Sequence, residues 1–363
     1  MSRLPLTADR FITLDEGLRT GAVEIFERGG PRSGAPEVSG QRQVAREGGN
    51  RAKPARNRTQ VAQSVNQAAP ETEMGDDINQ LTAVNRAQKP LYLMPGEVIL
   101  GGRQDRTISE ETLIAATGKP VPIGVYCVEH GRWSRRAAAK TEMMLAELGD
   151  QSSNPEKLAA KAARGNFVAK GGFLGKSGRM AAQAGEGQQK VWEEVAEANS
   201  KSRVMSSSGA FTANFIDKTV AHQLQPYIEA LADPIAKQDC VVGVVIAVNG
   251  QIESADVFES TPLFLKLWPK LLKCYALDAL HAVNVAVSAN PRSAADATIF
   301  LDTLLQGQLD ETKPAGGGLV VAKRRSQESI SFLAMHAPTA NEPPITKCAF
   351  GGSVHAVGFA KPK

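Results

Sequence analysis

The sequence predicts an α+β fold: a largely antiparallel β core, a helical middle segment, and helices packed on the sheet. Three observations carry this prediction. Short β-branched and apolar runs stand toward both ends of the chain. Helical spacing of apolar residues is concentrated between about residues 137 and 231. No regular strand–helix–strand alternation joins the two patterns, so a doubly wound parallel sheet is excluded.

Taken in order, residues 11–14 and 22–26 read as short strands, with Asp15, Glu16 and Gly17 turning between them. Residues 81–84, 91–94, 98–100 and 121–129 are further strands. The middle opens with a helix over 137–148, in which Met144, Leu145 and Leu148 share a face. Residues 164–187 are rich in Gly and Lys and read as irregular. A helix over about 186–198 places Val191, Trp192, Val195 and Ala198 on one side. Residues 211–231 continue the helical period, with a break expected at Pro226. Residues 241–248 and 252–258 flank Asn249-Gly250, the pair a tight primed turn requires, and form a hairpin. Thr261 and Pro262 begin a helix that Pro269 restarts, and a helix near 294–305 follows. Strands at 319–323, 329–335 and 348–359 close the pattern.

One stretch departs from globular composition. Between Phe26 and Tyr92 there is no aromatic residue, and 29–75 is dominated by Gly, Pro, Ser, Arg, Gln and Asn. Such a segment buries too little apolar surface to offset its ordering entropy. The expected organisation is therefore one α+β domain from 1–28 and 76–363, interrupted by a low-complexity, disordered insertion. Arg28, Arg32, Arg42, Arg46, Arg51, Lys53, Arg56 and Arg58 face only Glu37 and Glu47. That surplus of six leaves the rest of a +4 chain at −2. A basic tether of this kind suits an acidic partner or RNA, and such a non-enzymatic interaction module is the alternative functional reading. The absence of aromatics to stack on bases counts against nucleic acid.

The remaining composition excludes several classes. No apolar run is long enough to span a bilayer, and residues 1–11 lack a basic-then-apolar leader pattern. Cys127, Cys240, Cys274 and Cys348 are scattered, which disfavours a disulfide framework and favours the reducing cytoplasm. His130, His222, His281, His336 and His355 never stand at ligand spacings, so no metal site is expected. The GGFLGKSG string at 171–178 fails as a phosphate loop, because Lys170 stands where its first glycine belongs and no strand precedes it.

The richest stretch is 95–133. Glu97 is followed by Gly101, Gly102, Arg103, Gln104, Asp105 and Arg106. Paired glycines let backbone amides approach a ligand, and guanidinium forks suit phosphate or carboxylate; a solvated turn between strands would look the same. Cys127, Glu129, His130, Arg132 and Trp133 form a second cluster. Strand alternation puts Val121, Ile123, Val125, Cys127 and Glu129 on one face, so Glu129 leaves the core where it needs a cationic or hydrogen-bonding partner. It is an acid/base group or ribose binder with Trp133 as aromatic platform, or else half of a buried ion pair. Cys127 is a nucleophile candidate or a small core residue. Asp256, on the second hairpin strand with Phe258, is a ligand or catalytic carboxylate or a structural one.

The PGE, GGRQDR and VYCVEHGRW elements within 91–133 resemble the ARG and rhodanese-phosphatase-superfamily-associated protein domain, where ARG denotes ADP-ribosylglycohydrolase. ITLDEGL, VEIFE, QQKVWEEV, VVGVVIAVNGQIESADVF and LWPKLLKCYALDAL extend the resemblance over nearly all the chain outside the insertion. It implies association with NAD- and ADP-ribose-linked metabolism, and it names no cofactor. The motif positions it carries over are Glu97, Gly102, Gln104, Arg106, Cys127, Glu129, Arg132, Trp133, Gln189, Trp192, Asp256 and Phe258. Asp105 stands where the family commonly has Asn. The expectation is a protein that binds or processes an ADP-ribose-, NAD- or other nucleotide-like ligand. Gly101, Gly102, Arg103 and Arg106 would hold phosphates, and Glu129 and Trp133 would meet ribose or base. That reading requires the 97–106 and 127–133 clusters to form one pocket.

Overall fold

A computed structural model describes residues 9–27, 79–131, 167–168, 172–237, 240–288, 290–337 and 353–361. The predicted insertion at 29–75, the helix expected over 137–148, and Arg132 and Trp133 lie outside the described residues.

The chain order is β1 (Ile12–Thr13), α1 (Leu14–Thr20), β2 (Val23–Glu27), β3 (Gln80–Asn85), β4 (Leu91–Leu93), β5 (Val98–Gly101), β6 (Arg106–Ile108), β7 (Thr112–Ile114), β8 (Pro120–Cys127) and β9 (Phe167–Val168). There follow α2 (Lys176–Ala184), α3 (Gln188–Ser202), α4 (Ala213–Ile216), α5 (Lys218–Ala236), β10 (Gly243–Val248), β11 (Gln251–Phe258), α6 (Thr261–His281), α7 (Ala294–Gln306), β12 (Gln308–Pro314), β13 (Leu319–Arg325), β14 (Ser329–His336) and β15 (Ser353–Ala360). The fold is α+β. Its strands form a three-stranded sheet, β1-β4-β7, and two six-stranded sheets, β2-β3-β8-β6-β5-β9 and β10-β11-β15-β14-β13-β12. Only the β1–β4 pairing is parallel among the described ladders.

The two N-terminal sheets close on α1 around Leu14, Ile25, Leu81, Leu91, Ile99, Ile123 and Phe167. Helix α6 is the central element, because Leu263, Phe264, Leu267, Trp268, Leu271, Leu272 and Tyr275 are all buried. One part of it packs with Phe11, Tyr92, Phe173 and Phe258. Ala276 and Leu277 pack with α2, α3 and α5 over Val98, Leu100 and Val128. At roughly 1.5–3 kcal/mol for each large side chain removed from water, this helix dominates the core. Helix α7 covers the C-terminal sheet through Phe300 and Leu304.

Several expected elements need correction. Residues 14–17 are not strand and turn but the first turn of α1: the Thr13 side chain caps Glu16, and Asp15 and Glu16 suit the helix N-terminus. Residues 164–187 are not irregular throughout, since the Ala-rich run from Lys176 to Ala184 is helical and ends at a left-handed Gly185. The helical segment 211–231 breaks at Asp217, which caps α5, and not at Pro226. Pro226 and His222, whose carbonyl loses its partner, both stand on the exposed side, where the missing bond costs least. Pro269 likewise lies within a continuous α6, whose cap is Ser260. The Asn249-Gly250 hairpin forms as expected, with φ of 50° and 75° at the turn.

Candidate functional site

A cleft of about 380 Å³ opens where α2, α3, α6 and the β10–β11 hairpin converge. Leu174, Val195, Phe211 and Leu277 make its apolar floor. Its polar groups come from helical spacing: Glu194, Glu197 and Lys201 recur at i, i+3 and i+7 on α3, and Asp278 and His281 are three apart on α6. Lys176, Ser177 and Gly178 form the first turn of α2, and Glu253 and Ser254 of β11 complete the lining.

The end of α2 is closed by an internal carboxylate. Gly175 provides no capping side chain. Asp278 Oδ2 accepts the Lys176 amide at 2.9 Å instead. A Cβ on Gly175 would stand 2.5 Å from Asp278 Oδ1, so only glycine lets this carboxylate reach the helix end. Burial pushes the Asp278 carboxyl up to about 6, against the pull of the Lys176 amide and the Arg179 guanidinium. Burial, helped by Lys201, lowers His281 to about 4, so at neutral pH the ring is uncharged and its Nε2 stands 2.7 Å from Ser202 Oγ. Lys176 pairs with Glu253, and Lys201 with Glu197 at 2.6 Å. With Glu194 and Asp278, the lining holds four carboxylates against two ammonium groups.

Arg179, also on α2, belongs to an enclosed polar network. Its guanidinium makes a two-pronged pair with Asp256, one arm at 3.1 Å, and lies over the rings of Phe173 and Phe359. Asp256 also accepts from the Tyr275 hydroxyl and from His355 Nε2 at 3.0 Å. The other side of the His355 ring meets Glu111 at 2.7 Å, and Glu111 accepts from Tyr92 at 2.5 Å and Gln183 at 3.3 Å. Burial opposes the imidazolium, yet Glu111 and Asp256 together raise His355 to about 9. Burial also opposes the Asp256 carboxylate, which Arg179 and His355 hold well below its ordinary value. Two cations and two anions thus close the network to neutrality, as a dry interior demands.

The predicted site residues divide into three groups. Gln104, Asp105, Arg106 and Glu129 do meet. Gln104 Nε2 donates to the Glu129 carbonyl at 2.8 Å, the Asp105 amide to Glu129 Oε2 at 3.2 Å, and Arg106 Nη1 to Gln104 Oε1 at 3.2 Å. Ser208 Oγ donates to Glu129 Oε1 at 2.6 Å, while Asp105 accepts from Gly101 and Thr212. Among the described residues of the two clusters, which do not include Arg132 and Trp133, these contacts form an enclosed polar group. Gln104, Asp105, Arg106 and Glu129 are each at most 4% exposed. Gly102 packs against Phe167, and the exposed Arg103 turns to Glu27.

Glu97 and Asp256 stand apart from that cluster. The Glu97 carboxylate, pushed up by burial, meets Lys270 Nζ at 2.7 Å, and Asp15 shares the same ammonium at 2.8 Å. Asp256 is completely buried in the Arg179 network, which is its structural alternative. As for Cys127, its amide and carbonyl are both tied to the Gln188 side chain, at 2.7 and 2.8 Å. Burial raises its thiol to about 11, which disfavours the thiolate that a nucleophile requires. Trp192 meets the His130 ring edge-on at 4.5 Å.

Sequence reasoning missed Glu111, Arg179, Lys270, Asp278 and His355. A signal existed for three of them. His355 interrupts an apolar strand, and Lys270 and Asp278 interrupt the buried stripe of α6, where a polar side chain demands a partner.

Among the described residues no helix is long and apolar enough to cross a membrane, and no group of His, Cys, Asp or Glu is placed to hold a metal ion. No curated protein and no solved structure matches the chain. The model of one domain family matches residues 2–336. On that match, which spans both N-terminal sheets, the cleft helices and most of the C-terminal sheet, the chain belongs to the ARG and Rhodanese-Phosphatase-superfamily-associated Protein domain family.

Proposed function

We propose that this protein binds an ADP-ribose-, NAD- or other nucleotide-like ligand, in the cytoplasm, and that the ligand enters the cleft between α2, α3, α6 and the β10–β11 hairpin. The observation that carries the reading is the cleft itself. Its volume of about 380 Å³ lies in the range of small-molecule sites, and it joins an apolar floor to convergent polar groups. The partly exposed Ala198, Ile246, Val248 and Ala282 offer a surface for a base or nicotinamide ring, while Asp278, Glu253 and Ser177 offer hydrogen bonds to ribose. The Gln104–Glu129 cluster is the less suitable seat, because its groups are enclosed and already bonded to one another. The ligand class is taken from what the sequence resemblance implies, with ARG read as ADP-ribosylglycohydrolase; the family match itself names no ligand.

Thermal-shift and calorimetric titration with ADP-ribose, NAD and AMP tests this. A ligand that binds only the native state must raise the melting temperature as its concentration passes the dissociation constant. Ala198→Phe, which fills the cleft from a partly exposed position of α3, is expected to abolish the shift while leaving the unliganded melting temperature near wild type. No shift with any of the three ligands would refute the reading.

A further inference from the structure

The first turn of α2 would ordinarily attract a phosphate, since helix N-termini present free amides and a positive dipole end. Here that position already holds an anion of the protein's own. Asp278 Oδ2 receives the Lys176 amide at 2.9 Å, and the carboxylate lies in the space that a Gly175 side chain would occupy. The cationic groups that could rescue a phosphate are also engaged: Lys176 pairs with Glu253 and Lys201 with Glu197. A phosphate entering there would meet carboxylates whose counter-ions are taken, in a half-enclosed cleft where repulsion is weakly screened.

A sugar has the opposite relationship to the same groups. Ribose hydroxyls are donors, and carboxylate oxygens held in place by backbone and lysine are strong acceptors for them. Asp278 Oδ1 has no donor among the described residues, and the carboxylate lines the cleft. Ser254 and the neutral His281 line the same space without adding positive charge.

We propose that Asp278 is the hydroxyl-recognising residue of this cleft, so that the ribose of a nucleotide-like ligand lies against the end of α2 and its phosphates point away toward the cleft mouth. This inference rests on the ligand reading above and assigns the ligand's orientation within it. The site thereby selects for an intact ribose and against a free phosphate.

The test compares adenosine, 2′-deoxyadenosine, 3′-deoxyadenosine, inorganic phosphate and pyrophosphate by calorimetry on the full chain, with wild type and Asp278→Asn. The amide oxygen of asparagine can still cap α2, so the variant keeps the fold. Loss of one hydroxyl is expected to weaken binding to wild type about ten- to a hundred-fold, the range of a hydrogen bond to a charged group. The same loss should matter at least tenfold less in Asp278→Asn. Phosphate and pyrophosphate should fail to displace adenosine from wild type and should gain measurable competition in the variant. Deoxyadenosines that bind as tightly as adenosine, or phosphate that competes equally well in both proteins, would overturn the orientation while leaving the ligand class standing. Failure of adenosine, ADP-ribose and NAD alike to bind would overturn the ligand class, and the orientation with it.

Discussion

His355 Nδ1 stands 2.7 Å from Glu111 Oε1, although 244 positions separate the two residues in the chain. Glu111 lies just before β7 of the three-stranded sheet and His355 lies in β15 of the C-terminal sheet, so this contact ties the two sheets together behind α6. With Asp256 on the other ring nitrogen, the imidazolium bridges two buried carboxylates.

The pH dependence of stability follows from that placement. His355 titrates at about 9 in the folded protein, raised from an ordinary value of 6.5. A raised histidine contributes stability that is fully present below pH 6.5 and is lost as pH climbs through 9. Urea denaturation from pH 6 to 9.5 should therefore show stability falling across this window, with about 3 kcal/mol belonging to His355. His355→Gln should be less stable at pH 6 and should flatten the slope. An unchanged slope in the variant would remove His355 as its source.

Breaking the Arg179–Asp256 pair should be among the most damaging single changes. Arg179→Ala leaves a fully buried carboxylate without its guanidinium and is expected to cost about 3–5 kcal/mol. A double-mutant cycle with Asp256→Asn should return a coupling of more than about 1 kcal/mol, since contacting residues of one network do not act additively. Additivity within about 0.5 kcal/mol would mean the two act independently.

Cysteine reactivity should follow exposure. Cys240 is exposed, whereas Cys127 and Cys274 are buried with thiols raised by burial. At pH 7.5 iodoacetamide should label Cys240 rapidly, and Cys127 and Cys274 only after denaturant is added. Peptide mass spectrometry reads this directly. Rapid labelling of Cys127 in the native protein would instead support it as a nucleophile.

Gln188 bridges the start of α3 to the end of β8 by holding both the amide and the carbonyl of Cys127. Gln188→Ala should cost about 1–3 kcal/mol, because two enclosed backbone groups lose their partner together. Hydrogen exchange at the Cys127 amide should accelerate more than exchange at Ile123, in the same strand. Equal acceleration at both amides would indicate global destabilisation instead.

Much of the fold was legible because it is written in local rules. The β10–β11 hairpin follows from Asn249-Gly250 between β-branched runs. Proline misled the reading of α5 and α6, since its cost depends on whether the freed carbonyl faces solvent, and only packing determines that. The 97–106 and 127–133 clusters attracted attention because turns and strand ends concentrate polar residues. Whether such residues bind a ligand or satisfy one another depends on how closely the strands approach, and β6 pairs with β8 closely enough to bring Arg106 opposite Cys127.

By itself the sequence determined the α+β class, most strands and helices of the C-terminal half, and the family, because periodicity, turn chemistry and motif strings are properties of neighbouring residues. Only the tertiary structure decided that Glu97 meets Lys270, that Asp256 is enclosed by Arg179, Tyr275 and His355, and that Asp278 reaches the end of α2 at a cleft wall. Those pairings join residues up to 173 positions apart. The energy of a charge depends on which partners and how much water the folded chain leaves around it, and neither is a function of sequence separation.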